Sequence, residues 1–295
     1  MRGDGYLPGA LTLAYALKMQ SNKDCICLIT NDISEKARHT LQVIYDKVIN
    51  IDEISVKSAV KGGRSDRNTL FTRFQALRLC EGGELGVAYD KIVLLDADIL
   101  PLSNYDTLFS LNTPAGVIME NKDLCYADGR RDALKWSWHS LYEPLCPHGA
   151  QIPKEVTNRI KTDPSNMGVN SGLWVLTPSL TEYTNVIEAI HNPENKAKNF
   201  PWPEMQLGTL FWSGQWTNID IRYCSIGGYP SPDVLYGIHF AGLKPWQRKN
   251  RSIKHYANFP DFKLWYDFFS AMYWHYEAIR ELSSIKMLYK FIQAR

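Results

Sequence analysis

The sequence predicts an α/β fold, a parallel or mixed sheet covered by helices. Three observations carry that expectation. Short apolar runs alternate with segments of helical spacing along most of the chain, the pattern of strands separated by helices. The run Ile92-Val-Leu-Leu95 is continuously apolar, as strands buried on both faces are. No internal repeat or low-complexity linker interrupts the alternation. At 295 residues the chain has room for one or two domains. One domain over residues 1–246, followed by a helical extension over 247–295, accounts for the pattern.

The elements follow in order. Ala10 to Lys18 reads as a helix, and the apolar run Cys25 to Ile29 as a strand ending in Thr30-Asn31-Asp32. Ala37, Leu41, Ile44 and Val48 recur at helical spacing, with Asp32 or Ser34 as the N-cap. Val48 to Ile51 is a short strand. Leu70, Phe74 and Leu77 mark a helix that stops near Gly82-Gly83. Further strands are expected at Ile92–Leu95, Gly116–Met119 and Leu173–Leu176, and a helix after Pro178 carries Tyr183, Ile187 and Ile190. Two regions break the rhythm. Asn121 to Met167 is long, polar and rich in Trp, Pro and Gly, too long for a plain connection and therefore a functional excursion. From Phe262, residues Trp265, Phe268, Phe269, Met272, Tyr276 and Ile279 share one helical face. That face suits a terminal helix packed on the domain, with an oligomer or membrane-surface contact as less favoured uses.

Composition narrows the function. With 45% hydrophobic and 22% charged residues the chain is neither disordered nor a coiled-coil rod. Lys+Arg 33 against Asp+Glu 31 gives a net charge of +2, so nothing draws the whole molecule to nucleic acid. No apolar run approaches the ~20 residues of a membrane span, and no signal peptide opens the chain. Cysteines 25, 27, 80, 125, 146 and 224 form no C-x-x-C pair and read as free thiols in a reducing compartment. Nine Trp and 16 Tyr exceed what a core of this size requires.

G-x-G-x-x-G, the P-loop, H-E-x-x-H and G-x-S-x-G are all absent, so four common site types lose weight. The strongest local signal is Asp96-Ala97-Asp98 at the end of the strand Ile92–Leu95. Ligands of open α/β sheets bind beyond the carboxyl ends of strands, and residues i and i+2 of an extended segment point the same way. Both carboxylates can therefore face one hard cation, Mg²⁺, Ca²⁺ or Mn²⁺, with Mn²⁺ favoured once an imidazole joins. A pair of solvated acids is the plainer alternative. The second signal is His239-Phe-Ala-Gly-Leu-Lys-Pro-Trp246, where Gly242 would let backbone amides approach a phosphate and Lys244 would supply a point charge. Lys244 to Lys254 holds five basic residues and no acid, and Lys57 to Arg73 holds five against one Asp; solvated basic faces explain either run. The third signal is Asn170-Ser171-Gly172 before the strand at Leu173, which could bind sugar hydroxyls or simply turn the chain.

Taken in order, Gly5-Tyr-Leu-Pro-Gly-Ala10, Ile92-Val-Leu-Leu-Asp-Ala-Asp98, Asn104-Tyr-Asp-Thr-Leu-Phe109, Asn170-Ser-Gly172 and His239 to Trp246 resemble glycosyltransferase family 8, in its glycogenin-like and plant glucuronyltransferase-like branch. The resemblance implies a GT-A type, Rossmann-like mixed sheet flanked by helices. It implies a retaining, Mn²⁺-dependent transfer of a hexose-type sugar from a UDP-sugar to a glycan, protein or lipid-linked acceptor, with Mg²⁺ as a second metal. A nucleotide-sugar hydrolase or a non-catalytic sugar-nucleotide or glycan-binding protein is the alternative. By position, the resemblance makes Asp96, Asp98 and His239 the metal ligands, with Ala97 between the acids. Tyr6 becomes the uracil contact and Arg73 a basic donor-site residue. Asn170 and Ser171 face the donor sugar, and Gly242 and Lys244 clamp the diphosphate. The family's Asp-Gln pair meets Pro203-Glu204-Met205-Gln206 here, making Gln206 the candidate for the sugar's reactive face and Glu204 a substitute for the Asp if the loop is re-registered. Family members carry a strand just ahead of the segment matching Gly5; only Met1 to Asp4 stand there, so that strand is expected to be missing, shortened or differently built.

Trp136, Trp138, His139 and Trp202 are candidate acceptor platforms, and Tyr223 and Tyr229 are candidates for self-glycosylation. A homodimer is left open. The cytoplasm is the favoured location, with the Golgi lumen as the alternative and Asn250-Arg-Ser252 as the one glycosylation sequon.

Overall fold

In a computed structural model, the described residues are 1–60, 66–119, 146–192, 194, 199–227, 231–247 and 256–294. After a 3-10 turn at Asp4–Tyr6 come α1 (Leu7–Lys18), β1 (Ile26–Ile29), α2 (Glu35–Gln42) and β2 (Lys47–Asn50). A long 3-10 helix, Arg67–Arg78, precedes β3 (Ile92–Leu95), β4 (Ile99–Pro101) and β5 (Ala115–Met119). Next are α3 (Lys154–Thr162), β6 (Gly168–Leu176), α4 (Leu180–His191), α5 (Pro203–Phe211), β7 (Thr217–Asn218), β8 (Ser225–Ile226) and β9 (Gly237–His239). The chain closes with α6 (Pro260–His275), α7 (Glu277–Arg280) and α8 (Ser283–Gln293).

The chain forms two compact units. The first comprises Met1–Asn50, Asp96–Asp106 and Arg222–Arg295. Here β1 and β2 pair in parallel through α2, whose N-cap is Ser34 rather than Asp32: its hydroxyl accepts from the Ala37 amide at 3.2 Å. Met1 lies along β1, its ammonium donating to the Leu28 carbonyl and its own carbonyl accepting from Thr30 at 3.2 Å. A second sheet has the order β4-β9-β8, antiparallel between β4 and β9 and parallel between β9 and β8. Helix α6 packs on α1 through Phe262, Trp265, Phe269 and Met272, all buried. It ends at His275, so Ile279 belongs to α7 rather than to one continuous face.

The second unit comprises Ile51–Leu95 and Thr107–Ile221. Its sheet runs β3-β6-β5-β7, antiparallel except for the β5–β7 pair. The apolar run of β3 is half-buried throughout rather than enclosed: among the described residues β3 stands at the edge of this sheet and pairs only with β6. Strands β5, β6 and β7 are buried at every position, β6 through all nine of its residues. The core gathers Phe71, Phe74 and Leu77 from the 3-10 helix with Trp174, Trp212 and Trp216, whose rings lie 5.4–5.9 Å apart. Among the described residues no helix is long and apolar enough to cross a membrane.

Candidate functional site

The first unit gathers the acidic pair and the histidine. Asp96 leaves β3 and Asp98 enters β4, whose Ile99 pairs with His239 on β9. The Phe240 amide donates to the Asp98 carbonyl at 2.9 Å and fixes that register. His239 Nε2 consequently stands 3.4 Å from Asp98 Oδ1. One ligand atom each from Asp96, Asp98 and His239 lies within 4.8 Å of the others. Lys244 Nζ donates to Asp98 Oδ2 and, at 2.7 Å, to the Phe240 carbonyl. It also stands 5.8 Å from the centre of the Tyr6 ring. Gly242 makes the turn between them possible, with a φ of 90° that side-chain-bearing residues rarely adopt.

Burial pushes the Asp98 carboxyl up, but His239 and Lys244 beside it hold it well below the usual carboxylate range. Burial likewise pushes the His239 imidazole down, yet Cys224 and Asp98 outweigh that and raise it to about 10. Two carboxylate oxygens and an imidazole nitrogen are the donor set of Mn²⁺ or Mg²⁺, and this geometry fits such an ion.

The second unit assembles another polar group. Asn170-Ser171-Gly172 is not a turn before a strand; it lies inside β6, because residues 168 and 169 already pair with β5. The Asn170 side-chain oxygen accepts from the Gly172 amide at 2.8 Å, and the Arg73 guanidinium donates to the Ser171 carbonyl. Ser171 donates its hydroxyl to Glu204 Oε1 at 3.0 Å. Glu204 is only 5% exposed, and its Oε2 has no hydrogen-bonding partner among the described residues. Gln206 is held by backbone: its oxygen accepts from the Trp202 amide, and its nitrogen donates to the carbonyls of Pro164 and Asn166 at 2.8 and 2.7 Å. Those bonds hold the entrance of α5 to the segment before β6.

Three further residues matter that the sequence did not single out. A Cβ on Gly9 would overlap the Ala97 carbonyl and the Trp246 ring, so only glycine lets α1 lie against the Asp-Ala-Asp backbone. Trp246 donates its indole N–H to the Gly5 carbonyl at 2.9 Å and meets the Tyr6 ring edge-on, tying Tyr6 to the Lys244 segment. Cys224 sits 3.5 Å from His239 Nδ1. The glycine of a G-Y-L-P-G-A run was a usable signal for the first; nothing local marks the third. Tyr223 is buried between the rings of Tyr105 and Tyr236. Trp202 is half-buried at the start of α5. Trp136, Trp138, His139, Tyr229, Cys125, the sequon and most of the basic run after Lys244 lie outside the described residues.

This mixed α/β architecture is that of the GT-A glycosyltransferases. The galactosyltransferase LgtC, solved with donor and acceptor sugar analogs, superposes with a TM-score of 0.58 over 92% of this chain and 96% of its own, at 11% identity. The model of glycosyl transferase family 8 matches residues 3–250, and the chain belongs to that family. Among relatives, the uncharacterized protein R707 of Acanthamoeba polyphaga mimivirus is 30% identical over 83% of this chain and 79% of its own length. Human glycogenin-1 is 24% identical over 91% of this chain and 69% of its own. The UDP-glucuronate:xylan alpha-glucuronosyltransferase 1 of Arabidopsis thaliana is 24% identical over 82% of this chain, which spans only 30% of that protein.

Proposed function

We propose that the protein is a Mn²⁺-dependent, retaining transferase that moves a hexose-type sugar from a UDP-sugar to a carbohydrate or glycoconjugate acceptor. The observation that carries this is the convergence of Asp96, Asp98 and His239 within 4.8 Å. Family membership supports the reaction class. Asp96, Asp98 and His239 would hold the ion, with Ala97 shaping the backbone between the acids. A bound divalent cation supplies Lewis-acid stabilisation of the charge that develops on the departing diphosphate. Lys244 adds a positive charge to the same oxygens, Gly242 gives the backbone room to approach them, and Tyr6 offers its ring to the uracil. Arg73, Asn170 and Ser171, all in the second unit, are assigned to the donor sugar on the family resemblance alone.

Between the two candidates for the sugar's reactive face, hydrogen-bond capacity favours Glu204. Its Oε2 is buried with no partner among the described residues and keeps its acceptor capacity, whereas both N–H donors of Gln206 and one lone pair of its oxygen are directed at backbone. Gln206 then shapes the loop that presents Glu204. The transferase domain is assigned to residues 1–246 and a helical extension to 247–295. The five described cysteines are unpaired, which supports a reducing compartment and the cytoplasm.

UDP release from a panel of UDP-sugars tests the reading, with Mn²⁺, with EDTA, and with Asp98→Asn. Release should require the metal and fall about 100-fold or more in the variant. Glu204→Ala should lower kcat by a similar factor at unchanged Mn²⁺ affinity, while Gln206→Ala should chiefly lower the melting temperature. Release that persists in EDTA would reject the metal assignment, and binding without turnover on any acceptor would favour a binding protein.

A further inference from the structure

Behind the imidazole of His239 stands a thiol that the reaction itself does not call for. Strand β9 is the middle strand of its sheet, so His239 is flanked by Ile99 of β4 on one side and Ile226 of β8 on the other. The Gly227 amide donates to the His239 carbonyl at 3.2 Å, which locks the backbone on the β8 side. Cys224 enters β8 directly before Ser225, and its side chain reaches back toward the ring. The Sγ–Nδ1 separation is 3.5 Å, within range for a sulfur hydrogen bond, and Cys224 is 0% exposed against 6% for His239. The opposite ring nitrogen, Nε2, faces Asp98 Oδ1. The ring is thus held by one partner at each nitrogen, and only the Nε2 side looks toward the acidic pair.

We infer that Cys224 is the positioning residue of the metal group, accepting the Nδ1–H of His239 and so presenting Nε2 to the ion. The inference rests on the reading of Asp96, Asp98 and His239 as metal ligands. Its physical basis is general: an imidazole that binds through one nitrogen carries its proton on the other, and the acceptor of that proton sets the ring's orientation. A carboxylate is a common acceptor in this role, but it would add a third negative charge to a buried group that already holds two. A thiol accepts without adding charge. It is also a weaker acceptor, and in the metal-free protein the ring can keep donating Nδ1–H to it while Nε2 faces Asp98. Cys224 therefore suits a site that must hold its ligand with and without the ion. The thiol's burial keeps it from solvent, which fits a positioning role and not a reactive one.

Mn²⁺ titration of the full chain, read by calorimetry or by electron paramagnetic resonance, tests this with three variants. Cys224→Ala should weaken Mn²⁺ binding by about 10–100-fold, while Cys224→Ser, which keeps a small acceptor, should stay within roughly threefold of the native chain. Equal losses in the two variants would assign Cys224 to packing and overturn the inference. So would native affinity in Cys224→Ala. Asp98→Asn separates the two levels: if it binds Mn²⁺ as the native chain does, the metal group itself is misassigned and this inference falls with it. If Asp98→Asn loses binding and Cys224→Ala does not, only the role of Cys224 fails. Should Cys224→Ala not fold, ¹⁵N spectra of His239 in the Mg²⁺-loaded native protein decide: a protonated Nδ1 is expected, and an unprotonated one overturns the inference.

Discussion

Asp98 receives two cationic side chains at once, His239 at Oδ1 and Lys244 at Oδ2, inside a group that is almost wholly buried. Such a carboxylate is sustained by its partners; removing one would leave a buried charge uncompensated, at a cost of about 3–5 kcal/mol. The sign of the pH dependence follows from the shifts. His239 rises from 6.5 to about 10, so its contribution to the stability of the metal-free protein is complete below 6.5 and is lost as the pH climbs toward 10. Asp98 is depressed, so its contribution is present above 3.8 and disappears in acid. The melting temperature of the metal-free protein should therefore exceed that of His239→Gln most at pH 6 and progressively less up to pH 10. A constant difference across that range would contradict the pairing. Much of this group could be read from the chain, since Asp96-Ala97-Asp98 and His239 to Trp246 each present their chemistry within a few residues. The partnership of Lys244 with Asp98 could not, being 146 residues apart in sequence. The same holds for Cys224, where an isolated thiol carries no sign of the imidazole it meets.

At the scale of elements, β6 is where local pattern and structure part. Gly168-Val-Asn-Ser-Gly172 has the composition of a turn, and Gly168 does carry a φ of 80°. What extends the strand through it is pairing: Met119 with Gly168, Ile118 with Val169. Thr209 of α5 completes the arrangement, its hydroxyl accepting from the Val169 amide at 2.8 Å and donating to the Met205 carbonyl at 2.7 Å. Thr209→Val keeps the shape and leaves that amide without its acceptor in a fully buried position. Urea denaturation should show a loss of about 1–3 kcal/mol, the cost of stranding a buried donor. An unchanged midpoint would mean that β6 does not depend on this tie. The half-burial of β3 teaches the same lesson from the other side. Its residues are apolar enough for a central strand, but the sheet order among the described residues puts it at an edge.

For the whole molecule, a ligand that binds only the folded chain should stabilise it by mass action. Mn²⁺ together with UDP at 100 times the Kd should add about 2.7 kcal/mol, seen as a higher melting temperature that Asp98→Asn does not share. No shift in the native chain would count against the donor assignment. The aromatic surplus has a largely architectural destination. Trp174, Trp212 and Trp216 fill the core of the second unit, and Trp246 and Trp265 pack against each other at a tilt within the first. Among the described tryptophans Trp274 alone is well exposed, at 61%. By itself the sequence determined the alternation of strands and helices, the acidic and basic groups and the family they resemble, because periodicity and short motifs are local properties. The tertiary structure decided which strands are enclosed, that Asn170 and Ser171 stand in a strand, that Gln206 bonds to backbone while Glu204 keeps an oxygen, and that a thiol backs the histidine. Those are questions of partner, and hydrogen-bond partners brought together by sheet register are drawn from residues far apart along the chain.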